Sequence, residues 1–204
     1  MNDWNRFPLT TYSVFQSLNS PEFVTFLSNI TDVDLFPDSG LHGGGWHIHS
    51  SGGNLNPHLD YSIHPKLGLQ RKFNTIEYLS SKLEDGIGGE LGLWSHDSIN
   101  NCPGRLTVEV KPKFNRAVLF DTTQNSWHGM INKLNCPADV YRKSLAIYYL
   151  SKPSEDASPH KRALFAARKE QLADKDVADL INKRSDVNKS KLVYNLADQC
   201  SKDD

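Results

Sequence analysis

The sequence predicts a mainly β, α+β chain: a jelly roll of two facing sheets with flanking helices. Three observations predict it. Short runs rich in β-branched and aromatic residues recur between residues 57 and 150, separated by Gly, Pro and Asn turns. A helix-start signal followed by an apolar stripe lies ahead of them, within residues 1–40. Behind them, residues 154–204 carry few β-formers and many Lys, Glu, Asp and Ala. The expected division is therefore a β unit with an N-terminal cap over 1–150 and a C-terminal helical extension over 151–204.

Each element has a local reason. In Ser20-Pro21-Glu22, Ser suits the N-cap and Pro the first helical position. Phe23, Phe26, Leu27 and Ile30 then fall at i, i+3, i+4 and i+7, one apolar face for a short helix bracing a sheet from outside. Gly43-Gly44-Gly45 and Ser51-Gly52-Gly53 flank Trp46-His47-Ile48-His49, a short strand between turns. No Gly-rich turn leads into Lys-Ser/Thr, so these glycines form no phosphate-binding loop. Further strands are expected at His58 to Ser62, Phe73 to Ser80, Gly88 to Trp94, Leu106 to Val110, Ala117 to Phe120 and Ser144 to Leu150. In the tail, Leu164 with Ala167, Val177 with Leu180 and Ile181, and Leu192 with Leu196 form weak helical stripes. The end, Ser201 to Asp204, is expected to fray.

Composition narrows the function. The chain of 204 residues has 23 Lys+Arg against 24 Asp+Glu, a formal net charge of −1. Such a balance gives no reason to expect a nucleic-acid or membrane partner. No apolar run approaches the roughly 20 residues needed to span a bilayer, and Met1 to Arg6 lacks a basic-then-apolar leader pattern. Cys102, Cys136 and Cys200 are too scattered for a disulfide framework or zinc cluster, which suits reduced thiols in a cytoplasmic protein. Oligomeric state is left open.

The chemistry starts at Asn56-Pro57-His58-Leu59-Asp60. Side chains alternate along a strand, so His58 and Asp60 share a face and can share one divalent metal. His128, in Ser126-Trp127-His128-Gly129, would complete a two-His-one-carboxylate facial triad, the ligand set of non-haem Fe(II) oxygenases. Three positions on the metal stay open, two for a bidentate 2-oxo acid and one for dioxygen. A carboxylate ligand at Asp60, where Gly or Ala would leave room for halide, favours hydroxylation. The co-substrate's distal carboxylate needs an anchor, and Arg142 offers a rigid, permanently charged fork. Ser144 shares its face by period 2, and Tyr78 on an earlier strand could donate a further hydrogen bond. An isolated His-x-Asp carries little weight; the combination with His128, Arg142 and Ser144 carries more. His42, His47, His49, His64, His96 and His160 are better read as surface or hydrogen-bonded residues, with His47 and His49 bordering a substrate entrance.

These segments resemble a known family. Pro57 to Asp60, Ile76 to Ser80, Gly88 to Trp94, Lys111 to Arg116, Trp127 to Gly129 and Arg142 to Ser144 are similar, in order, to the prolyl 4-hydroxylase-like branch of the Fe(II)/2-oxoglutarate-dependent dioxygenases. The resemblance covers about residues 40–150. It implies a double-stranded β-helix, the jelly-roll, cupin-like core of that family. It implies Fe(II) on His58, Asp60 and His128, and 2-oxoglutarate held by Arg142, with Ser144 and Tyr78 helping. O2 as second co-substrate, ascorbate as accessory reductant, and a peptidyl-proline or small-molecule substrate are implied with it. The chain departs from the family at Leu55, where a tyrosine is frequent, and this leaves the substrate open. The alternatives are a non-oxidative cupin-like barrel that binds or senses a metal, and a Zn(II) hydrolase or isomerase using the same triad.

Overall fold

A computed structural model describes residues 1–123, 125–155, 157 and 162–186. The helices are α1 (Leu9–Leu18), α2 (Pro21–Thr31) and α3 (Lys175–Ser185). The strands are β1 (Phe36–Pro37), β2 (Gly45–His49), β3 (His58–Leu59), β4 (Gln70–Tyr78), β5 (Leu91–Asp97), β6 (Cys102–Val110), β7 (Arg116–Asp121), β8 (Trp127–Met130), β9 (Arg142–Ser151) and β10 (Leu164–Phe165). They form two antiparallel sheets. One runs β1-β9-β4-β7, with β2 also paired to β9; the other runs β10-β3-β8-β5-β6. This is the jelly roll that the strand spacing predicts.

Alternation along β9 explains how the layers sit. Leu145, Ile147 and Tyr149 point to one side, where they form a buried core with Phe15 of α1 and Val24 and Leu27 of α2. Arg142, Ser144, Ala146 and Tyr148 point to the other side, and all four are buried as well. Their polar groups therefore need partners between the sheets, and that is where the site lies.

The N-terminal cap differs in detail from the periodicity. Ser20 does cap α2, accepting a hydrogen bond from the Phe23 amide. The buried face, however, is Val24 with Leu27, backed by Phe23 against Tyr149, while Phe26 is 54% and Ile30 59% exposed. Apolar residues at 23, 24, 26, 27 and 30 define two overlapping stripes, and contact with β9 selects one. Helix α1 was not predicted. It begins after Pro8 without a capping side chain and is built largely from Thr, Ser, Tyr and Val, which give little helical signal. Phe15, fully buried and stacked on Phe7, ties it down.

The tail also differs. Leu164 lies in β10, which pairs antiparallel with β3, rather than in a helical stripe with Ala167. The Val177, Leu180 and Ile181 stripe does lie on a helix, α3. The expectations for Leu192, Leu196, Ser201 to Asp204, His160 and Cys200 fall outside the described residues. Among the described residues Cys102 and Cys136 are free thiols, and no helix is long and apolar enough to cross a membrane.

Candidate active site

Strand register brings the three predicted ligands together. His58 of β3 pairs directly with His128 of β8, and Asp60 follows two residues after His58 on the same side, just past the end of β3. His58 Nε2 lies 3.7 Å from Asp60 Oδ1, and His128 Nε2 lies 3.6 Å from Asp60 Oδ2. One ligand atom from each of the three lies within 4.8 Å of the others. The imidazole orientations are fixed from behind. His58 Nδ1 sits 3.0 Å from the Asn56 carbonyl and His128 Nδ1 2.9 Å from the Ser126 carbonyl. A carbonyl only accepts, so each Nδ1 carries the hydrogen and each Nε2 lone pair faces the carboxylate. This donor set suits a divalent metal. Burial and the neighbouring His128 push the His58 pKa down to about 4, which keeps its lone pair free for a metal.

Close strand packing maintains the pairing. A Cβ on Gly129 would come within 2.8 Å of the Asn56 carbonyl oxygen, on the backbone that leads into β3. Glycine beside His128 therefore permits the short β3–β8 approach that juxtaposes the two imidazoles.

The carboxylate has its own supports, which the sequence did not single out. Tyr148 donates a hydrogen bond to Asp60 Oδ2 at 2.8 Å, and Arg71 Nη1 lies 3.8 Å from Oδ1. The Arg71 guanidinium is sandwiched between the Tyr61 ring at 3.6 Å and the Tyr148 ring at 3.7 Å. It also donates to the Tyr61 hydroxyl and the His42 carbonyl. Burial alone would raise the Asp60 pKa; His128, Arg71, His58 and the Tyr148 hydroxyl outweigh it and hold the carboxyl below its ordinary value. On the far side, Phe165 of β10 stacks on His58, and Phe120 meets His128 edge-on at 5.0 Å. Phe165 is held by the segment after it. Arg168 Nη2 donates to Asn54 Oδ1 at 2.6 Å and to the Met130 carbonyl, and Asn56 donates to Gln171 Oε1 at 2.7 Å.

The predicted anchor residues lie on the facing sheet. Ser144 of β9 is flanked in register by Tyr78 of β4 and His47 of β2, so the three share one face. Arg142, two residues earlier, donates from Nε to the Gly89 carbonyl at 2.8 Å, with Nη2 3.5 Å from the Tyr78 hydroxyl. The Ser144 hydroxyl is buried and has no hydrogen-bond partner among the described residues. A buried guanidinium beside an unpartnered hydroxyl is an arrangement that a carboxylate would satisfy.

A cavity of about 620 Å³ opens beside the triad, and His47, Leu55, His58, Asp60, Arg71 and Tyr148 are among its walls. His47 thus borders the space beside His58 and Asp60, as its sequence position suggested. Burial, then His49, lowers its pKa to about 4.

With this geometry in hand, the chain matches the family model described as the 2OG-Fe(II) oxygenase superfamily over residues 44–160. No curated protein matches the chain. Among solved structures, it is similar to prolyl 4-hydroxylases from Phytophthora capsici, with 24% identity over 85% of this chain and 52% of that one and a TM-score of 0.47. It is also similar to a Pseudomonas putida prolyl-4-hydroxylase, with 18% identity over 66% of this chain and 67% of that one and a TM-score of 0.40. A third is a Trichoplax adhaerens prolyl hydroxylase in complex with a hypoxia-inducible-factor peptide fragment, with 18% identity over 64% of this chain and 57% of that one and a TM-score of 0.36. The chain spans about half the length of the first of these.

Proposed function

This chain belongs to the 2OG-Fe(II) oxygenase superfamily, and we propose that it hydroxylates a substrate C–H bond at a metal held by His58, Asp60 and His128. The family implies Fe(II), 2-oxoglutarate and O2 as the reaction's requirements. The carrying observation is the pairing, across two facing sheets, of a buried His-Asp-His cluster with the buried Arg142, Ser144 and Tyr78 group. Once bound, iron, 2-oxoglutarate and O2 supply the oxidising power, and succinate and CO2 leave as co-products.

The protein's own contribution is positioning. His58 and His128 present their Nε2 lone pairs because the Asn56 and Ser126 carbonyls fix their tautomers. Tyr148 and Arg71 orient the Asp60 carboxylate. Arg142 pairs with the co-substrate's distal carboxylate, and the Ser144 and Tyr78 hydroxyls donate to it. Leu55 and Phe165 supply an apolar flank to the cavity. The reaction is prolyl hydroxylase-like in this reading, acting on a peptidyl-proline or a small molecule. Residues 1–150 form the catalytic unit and 151–204 a C-terminal extension, of which β10 braces the unit by pairing with β3. The scattered cysteines support a reducing, cytoplasmic setting.

The test is an anaerobic titration of the iron-loaded protein with 2-oxoglutarate, followed by visible absorbance. A weak metal-to-ligand charge-transfer band is expected. Bound iron without a band would overturn the anchor role of Arg142 and leave a non-oxidative, cupin-like metal-binding module.

A further inference from the structure

The charge lining the cavity beside the triad is one-sided. Lys66, Arg71, Arg162 and Arg184 all reach its wall, and among the described residues the single carboxylate there is Asp60. Asp60 is already engaged by His58, His128, Arg71 and Tyr148. In a chain of net charge −1, four cations around one small space are a local feature.

Three of these cations have no acidic partner among the described residues: Lys66, Arg162 and Arg184. Arg184 is the most informative. Its Nε is buried and has no hydrogen-bond partner among the described residues, and its guanidinium lies 5.3 Å from the centre of the Phe165 ring. Phe165 in turn stacks on His58. The Arg184 charge is therefore held one aromatic ring away from a residue of the triad. A buried donor left unpaired costs free energy, and a ligand that pairs with it recovers that cost. The planar fork of arginine matches carboxylate and phosphate oxygens, and low-dielectric walls strengthen the attraction.

We propose that this cavity takes a small substrate bearing a phosphate or carboxylate group, which Arg162 and Arg184 grip while the carbon to be oxidised lies beside His58 and Asp60. The inference rests on the oxygenase reading for the identity of the ligand as substrate. A cavity of about 620 Å³ is of the size that small-molecule ligands occupy. Arg162 and Arg184 are specificity-determining residues in this scheme. Arg71 stays committed to Asp60, and Lys66, which is exposed, adds attraction from the rim.

The test uses the full chain loaded with iron and 2-oxoglutarate without oxygen, so that the Arg142 group is already filled. Inorganic phosphate is the probe, and calorimetry reads its binding. The intact protein is expected to bind phosphate, and Arg162→Glu and Arg184→Glu are each expected to weaken it about tenfold. The 2-oxoglutarate band should persist in both, which shows that the variants are folded; Arg162→Gln and Arg184→Gln give a milder pair. Phosphate that went to the metal would be insensitive to all four substitutions. That insensitivity, or no binding by the intact protein, would overturn the proposal. A loss of phosphate binding in the variants with no band in any of the proteins would instead uphold the anion site and overturn the oxygenase reading.

Discussion

The Phe165 ring lies nearly parallel to the His58 imidazole, 4.9 Å between centroids and 22° between planes. The contact joins the last described strand to the first residue of the triad. It covers one face of the imidazole, while the Nδ1 hydrogen bond to the Asn56 carbonyl holds its edge.

Removing that ring should therefore loosen His58 more than it unfolds the protein. Phe165→Ala is expected to weaken metal binding by roughly tenfold, the low end for losing a group that orients a ligand. Phe165→Tyr should preserve it. Competition against a chromophoric chelator reads the affinity, and thermal melting of the metal-free chain serves as control. Equal affinity in Phe165→Ala and the parent would remove Phe165 from the positioning role.

Gly129 makes a second prediction on the same pair of strands. An added Cβ meets backbone atoms of Asn56 and Leu55, from 2.8 to 2.9 Å, and backbone does not yield as a side-chain end would. Gly129→Ala should push β3 from β8, widen the gap between His58 and His128 and cost about 1–3 kcal/mol as overpacking. Metal stoichiometry should fall well below one per chain. Full stoichiometry with unchanged melting would show that the strands can part without harm.

Much of this was legible in the sequence because it depends on local period. His58 with Asp60, and Arg142 with Ser144, share a face simply by standing two apart, and the order of the motif segments pointed to His128 and Tyr78. Arg71 was not legible. It opens β4 beside Gln70, and its role depends on Tyr61 and Tyr148 closing around it from two different segments. Phe165 was missed for a similar reason: a strand of two residues has no periodicity, and β10 exists because β3 offers it an edge. The face of α2 was misjudged because its sequence is apolar on more sides than the sheet can cover.

Arg142 carries the third prediction. Its Nε is already given to the Gly89 carbonyl, so only the outer nitrogens face Tyr78 and the space beyond. Arg142→Lys keeps the charge yet loses this fork, which fixes the direction of the remaining donors. The KM for 2-oxoglutarate should rise by about tenfold or more, with a smaller change in kcat. Ser144→Ala should act in the same direction by a smaller factor, because it removes one neutral donor. Unchanged KM in Arg142→Lys would show that charge alone anchors the co-substrate.

His47 ties stability to pH. Burial and its neighbour His49 hold its pKa at about 4, against 6.5 for an unperturbed histidine. As pH falls, the unfolded chain takes up this proton before the folded one does. The stability associated with the half-buried neutral ring is thus whole above about pH 6.5 and is lost progressively down to about pH 4. The slope from this one group is at most about 1.4 kcal/mol per pH unit. His47→Gln replaces the ring with a side chain that does not titrate. Urea unfolding of the metal-free chain at several pH values between 6.5 and 4 should therefore show a shallower acid limb in this variant, by close to one bound proton. Parallel limbs in the two proteins would mean that His47 is protonated as readily folded as unfolded, and that the wall of the cavity it lines is wetter than its burial indicates.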